Sequence, residues 1–358
     1  MRARLVLFGL ALIVLISGVA SGIARLGVAI PAPIASLASV HGPLMICAFF
    51  GTVIGLERAV AVSRSWAYAA PAASVLGGVA LLSGVPPQWA AALFVCAGLV
   101  LVGVSVVVIR RHFALHTGVL LLGAVCWLIG SLAWFHRSGG MIPVAAWLAF
   151  LVITIAGERL ELTRLLPRKR AAAPLFLVAV SVVVAGALWA LHTPYAGGAL
   201  FGLGLVALAL WLVRYDIARH NVRQRGLTRF IAIALLSGYG WLAVGGILFV
   251  LAAGQAWPWQ DAILHSLGLG FVVAMVFGHA PIILPAVAGI RIAYHPVLYL
   301  PLVMLHLSLA ARVFSSGAGL EQVHRLAGVA NALSLVVFAI VLVSRASRGV
   351  RAAPRKVG

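Results

Sequence analysis

The sequence predicts an all-α transmembrane bundle of about twelve spans, and three observations predict it. Hydrophobic residues fill 64% of the 358 positions and charged ones only 9%. A soluble domain carries roughly 25% charged residues, so this chain lacks the polar surface that water requires. Apolar runs recur along its whole length, near the roughly 20 residues that cross a bilayer. The charge is lopsided, 26 Lys and Arg against 6 Asp and Glu for a net +20, and it gathers in short clusters between those runs.

Each segment follows from its run and its flanks. Segment one, 5–24, follows Arg2 and Arg4 and lacks a small-residue cleavage site, so it reads as a span and not as a removed signal. Segment two, 38–62, opens near His41 and closes on Arg58 and Arg64. Segment three, 67–84, ends in the short loop 83–88. Segment four, 89–109, starts at the interfacial Trp89 and stops at Arg110 and Arg111. Segment five is 115–135. Segment six, 141–157, holds Pro143 and precedes Arg164, Arg168, Lys169 and Arg170. Segments seven, 174–192, and eight, 196–213, lead to Arg214, Arg219, Arg223, Arg225 and Arg229. Segment nine is 229–252. Segment ten, 260–284, follows Trp257 and Trp259, and Pro281 and Pro285 are expected to bend its end. Segments eleven, 296–314, and twelve, 322–344, come after Arg291, and Arg345, Arg348, Arg351, Arg355 and Lys356 close the chain.

If the segments alternate, nearly all of these cations fall on one side; the other side holds mainly Arg25 and Arg137. Loops rich in Lys and Arg stay cytoplasmic. The expected location is therefore a bacterial cytoplasmic (inner) membrane, with both termini cytoplasmic and one membrane domain over 1–358. The bilayer accounts for the basic charge, and no soluble basic region exists to hold a nucleic acid. Cys47, Cys96 and Cys126 lie inside apolar runs without paired spacing, so no disulfide framework is indicated. No P-loop, zinc-type Cys/His spacing or Gly-x-Ser-x-Gly elbow appears, which leaves hydrolytic chemistry without support.

Segments two, six and ten share a weak pattern: Gly55-Leu56-Glu57-Arg58, Gly157-Glu158-Arg159 and Gly278-His279 close them. Two readings stand, three pseudo-symmetric arcs of four helices or coincidence in a Gly/Ala/Val-rich chain. Glu57 and Glu158 either feed protons inward or pair with the neighbouring arginines.

Ionisable groups inside spans are costly and mark candidate sites. His41, His265 and His324 share one depth near the outer face, and His306 lies about two turns deeper. Imidazole is a usual ligand of haem iron and of copper. The plainer alternative is a helix-end histidine bonded to a carbonyl or a headgroup. His279 follows His265 on nearly the same face, roughly 21 Å along the helix, and would define a second, inner site if a partner such as His116 or His295 met it. His112, His136, His192, His220 and His295 read as boundary residues. Met45, four residues after His41, is either an axial ligand or a core side chain.

The run His41-Gly42-Pro43-Leu44-Met45 resembles segment two of haem-copper oxidase catalytic subunits, in which a histidine near the outer face binds haem. The run Leu264-His265-Ser266-Leu267-Gly268-Leu269-Gly270, followed by Met275 and Gly278-His279, looks like the NnrS family, and so does the end of segment eleven, Ala311-Arg312-Val313. That family comprises twelve-span relatives of the oxidase subunit, described as containing haem and copper and tied to nitric oxide stress. The resemblance covers segment two and segments ten to twelve, under a third of the chain. It implies haem b on His41 and His265, copper as a further metal, and work on nitric oxide, oxygen or electrons. His306 and His324 would be the second ligand set or its support. Pro43 stands where the NnrS pattern has a second histidine, and Ala280-Pro281 where it has Thr-Gly-Arg. The competing reading is a secondary transporter, which twelve spans, Gly-rich helices and Pro-broken segments also fit. A twofold relation between 1–172 and 173–358 would favour it, and a threefold one would count against it.

Overall fold

A computed structural model describes residues 2–137, 143–167, 169–253 and 260–348. Met141, Ile142, Arg168, Trp257, Trp259, Arg351, Arg355 and Lys356, used in the segment and charge assignments, lie outside the described residues. Twelve long helices are present among the described residues: α1 Arg2–Arg25, α2 Ala32–Val62, α3 Ser65–Leu82, α4 Pro87–Arg111, α5 Leu115–His136, α6 Val144–Leu162, α7 Ala172–Trp189, α8 Pro194–Tyr215, α9 Gly226–Leu251, α10 Gln260–Pro285, α11 Pro296–Ala318 and α12 Glu321–Arg345. Eleven of them are long and apolar enough to cross a bilayer. The chain is an integral membrane protein. The twelfth, α6, carries Glu158, Arg159 and Glu161 in its last turns, and it is buried without interruption from Ala146 to Thr154. A helix apolar all round belongs in the middle of a bundle.

Local chemistry sets the ends. Proline opens α4, α8 and α11, where its missing N–H costs nothing. Gly319, at φ 67°, ends α11 by turning left-handed and donating to the Ser315 carbonyl. The α2 helix starts at Ala32, earlier than position 38, because Pro33 and a 3-10 turn over Ser36–Val40 extend it. The chain after α10 and the chain after α12 leave from the same end and pair as two short antiparallel strands, β1 Ile290–Ile292 and β2 Ala346–Arg348. The helical pattern gave no sign of this clasp.

Consecutive helices pack on one another from α1 through α12, and α12 returns to α1. Inside this ring α6 touches both α2 and α10, and His41 of α2 meets His265 of α10. The three helices with related endings thus meet inside the ring. Outward side chains such as Leu203, Leu307, Phe314 and Ile340 are exposed, which suits lipid.

Contacts between helix ends tie each of the two ends of the bundle together. At the arginine-rich end, Arg4 donates to the Tyr68 hydroxyl at 2.7 Å, and Arg58 pairs with Glu158, the second of the two roles open to that acid. At the opposite end, Arg25 donates to the Ala38 carbonyl and Arg137 to that of Leu191.

Asp216, fully buried just past α8, fastens the arginine-rich end. Its carboxylate accepts the Ala218 N–H at 2.6 Å and the Tyr239 hydroxyl at 3.1 Å, and lies 3.8 Å from the Arg159 guanidinium. Burial pushes its carboxyl above the usual range, and Arg159 pulls the other way. Asp216→Ala leaves a buried cation and two donors without their acceptor and is expected to cost about 3 kcal/mol, read as a lower melting temperature in detergent. Asp216→Asn retains a carbonyl oxygen and is expected to cost far less. Because the folded pKa is raised, the carboxyl's contribution to stability is present at low pH and fades as pH rises through that value. The asparagine variant should lose this dependence.

Candidate functional site

The two histidine-bearing inner helices share a rare irregularity. The α2 helix turns π-helical over Leu44–Phe50, three residues after His41, and α10 does so over Ser266–Val273, directly after His265. Such stretches form well under 1% of residues and often mark functional positions.

The two imidazoles lie with centroids 6.3 Å apart and planes 20° from parallel. His41 donates from Nδ1 to the Gly18 carbonyl at 2.7 Å, and His265 from Nδ1 to the Asp261 carbonyl at 2.8 Å. A carbonyl only accepts, so Nδ1 carries a proton in each ring and Nε2 is the nitrogen left for another partner. That tautomer is the one a metal takes through Nε2, with the ring's orientation fixed from behind. The α1 helix comes this close because it presents Gly18 and Gly22. A Cβ at Gly22 would sit 2.8 Å from His41 Cε1, and one at Gly18 would sit 2.8 Å from Met45 Sδ. The Met45 sulfur therefore packs against α1.

Asp261, one turn before His265, joins three helices. Arg312 of α11 grips its carboxylate with two bonds of 2.7 Å. His265 Nδ1 lies 3.1 Å from the same carboxylate, and His324 Nε2 of α12 lies 3.3 Å from it. Ser315 and Ser316 donate to the Arg312 carbonyl, and Asn331 ties α12 to Ser308.

The remaining sequence candidates are placed differently. His306 accepts from Trp241 Nε1 at 3.0 Å through Nδ1, so its proton sits on Nε2, 2.8 Å from the Ser237 hydroxyl. His324 has Ser316 and the Arg312 carbonyl at Nδ1 and Asp261 at Nε2. Both nitrogens of each ring are thus engaged. His279 donates to the Met275 carbonyl at 2.8 Å, the same back-bond that His265 makes. His116 lies 3.8 Å from Glu161 and His295 accepts from the Val297 N–H; neither contacts His279 among the described residues. His112, His136, His192, His220 and His295 are exposed. No group of three or more His, Cys, Asp or Glu with metal-holding geometry occurs among the described residues.

Sequence reasoning passed over Asp261, Gly18, Gly22 and Trp241, and it noted Arg312 only within a run. Two signals were available: Asp261 is one of six acids in the chain and stands four residues before His265, and Arg312 stands alone inside an apolar segment.

No curated protein matches the chain. A family model described as a domain of unknown function matches residues 4–347. A match over nearly the whole length settles kinship, and the chain belongs to the DUF8744 family.

Proposed function

We propose that this protein is a haem-binding membrane protein of the oxidase-subunit type, with haem b between His41 and His265. The carrying observation is the imidazole pair, with both Nδ1 atoms committed to carbonyls and both Nε2 lone pairs available. Two imidazoles facing one metal from opposite sides through Nε2 would need centroids about 6 Å apart, each metal–nitrogen bond being about 2 Å, and the 6.3 Å separation leaves room for that. Neutral nitrogen donors also suit haem iron. The group bound there would exchange one electron at a time. With two protein nitrogens on one metal, electron carriage fits better than binding nitric oxide or oxygen. A copper ion in place of haem would use the same two nitrogens, and His306 and His324, already engaged, give no sign of a second centre.

The packing supports this reading over a permease. A permease built from two related halves would pair 1–172 with 173–358, whereas the α6 contacts with α2 and α10 and the His41–His265 contact join helices at intervals of four along the chain. The basic loops favour cytoplasmic termini in a bacterial inner membrane, with the histidine pair near the opposite face.

The test is an absorbance spectrum and metal analysis of the protein purified in detergent. A Soret band with one haem per chain is expected, narrowing and sharpening on reduction. A colourless protein without iron or copper would sink the proposal. Accessibility labelling of single cysteines placed at Ser83 and Arg223 checks the sidedness, with the former expected on the outer face.

A further inference from the structure

Resting on that reading, we infer that Asp261, gripped by Arg312, is the positioning residue that sets how firmly His265 holds its metal and at what potential that metal is reduced. The two ligands are not equivalent. Behind the His41 ring stands the Gly18 carbonyl, and no carboxylate pairs with that ring among the described residues. His265 has the Asp261 carbonyl at 2.8 Å and the Asp261 carboxylate at 3.1 Å around the same Nδ1 proton. A carboxylate behind a ligand imidazole fixes its rotation and makes it more basic. A more basic ligand favours the oxidised metal and lowers the potential. Arg312 moderates this effect. Its side chain is 7% exposed, so its charge is directed at the carboxylate and only slightly dispersed in water. The two-bond fork fixes the orientation of Asp261 and withdraws part of its negative charge from His265. His324, on the far side of the carboxylate, completes its surroundings at 3.3 Å. One acid thus couples the ligand on α10 to α11 and α12.

The geometry sets two opposite signs. Asp261→Asn removes the negative charge behind His265, so the potential rises. Arg312→Gln leaves the carboxylate less compensated, so the potential falls. Damage to packing alone would not order the two in this way. The experiment is a redox titration of the full chain purified with its haem, followed by absorbance, for wild type and both variants, with haem retention measured against excess apomyoglobin. Asp261→Asn is expected to raise the midpoint potential and to weaken retention about tenfold or more. Arg312→Gln is expected to lower the potential. Asp261→Glu, which restores the charge, is expected to bring the potential back towards wild type, and it serves as well if the asparagine variant does not insert. Shifts of the same sign, or no shift in either variant while wild type holds haem, overturn the role of Asp261. Wild type without haem overturns the underlying reading instead.

Discussion

Replacing His41 or His265 with alanine is expected to abolish the haem absorbance of the purified protein while it still inserts and folds. On the proposed reading, each change removes one of the two nitrogens that would hold the haem, from rings 6.3 Å apart. Loss of even a supporting residue behind a metal ligand typically costs 10- to 100-fold in affinity, and loss of the ligand itself costs more. The fold has little at stake in either ring. The Gly18 carbonyl bonded to His41 also accepts from the Ser21 hydroxyl at 2.7 Å, so it keeps a partner. Asp261 keeps both bonds to Arg312 when His265 is removed. His306→Ala is the instructive comparison. That ring bridges Trp241 and Ser237 of α9 from α11, so its loss leaves a half-buried donor unsatisfied and costs about 1 kcal/mol with the spectrum retained. An unchanged Soret band in either ligand variant would remove the pair from consideration.

The sequence carried the architecture because lipid imposes strong, local rules. Apolar runs and arginine clusters specify about twelve spans, and the described residues contain twelve long helices, eleven of them long and apolar enough to cross a bilayer. The related endings of segments two, six and ten even anticipated which helices meet in the middle. His41 and His265 were legible for a similar reason: shared depth can be read by counting residues from a boundary. The hydrogen bonds that separate them from His306 and His324 were not legible. A histidine with a free lone pair and one locked between Trp241 and Ser237 look alike in sequence, because the difference lies in partners more than 60 positions away. Asp261 was hidden by its position at a span boundary, where an acid reads as a solvated helix end until Arg312 is seen to enclose it. The π-helical stretches were hidden too, since an extra residue in a turn leaves the apolar composition unchanged. Strand β1 had no periodicity to betray it, being three residues long and paired far along the chain.

Gly22 should matter to the site as much as a ligand does, although it donates nothing. Gly22→Ala places a methyl 2.8 Å from His41 Cε1 and 3.0 Å from Nδ1. The ring cannot simply rotate away, because its Nδ1 proton is held by the Gly18 carbonyl of the same helix. Either that bond breaks and the tautomer is no longer enforced, or α1 retreats from α2. Both outcomes misplace Nε2, and haem retention is expected to fall about tenfold or more, as when a ligand loses its orienting partner. Gly18→Ala is the control one turn away. Its methyl also arrives at 2.8 Å, but against the sulfur of Met45, a side chain with three rotatable bonds that adapts to irregular space. That variant is expected to keep its haem. Helix propensity cannot account for the contrast, since alanine favours a helix over glycine by about 1 kcal/mol at both positions. Equal haem content in the two variants would show that His41 is not held against α1 in the way its hydrogen bond indicates.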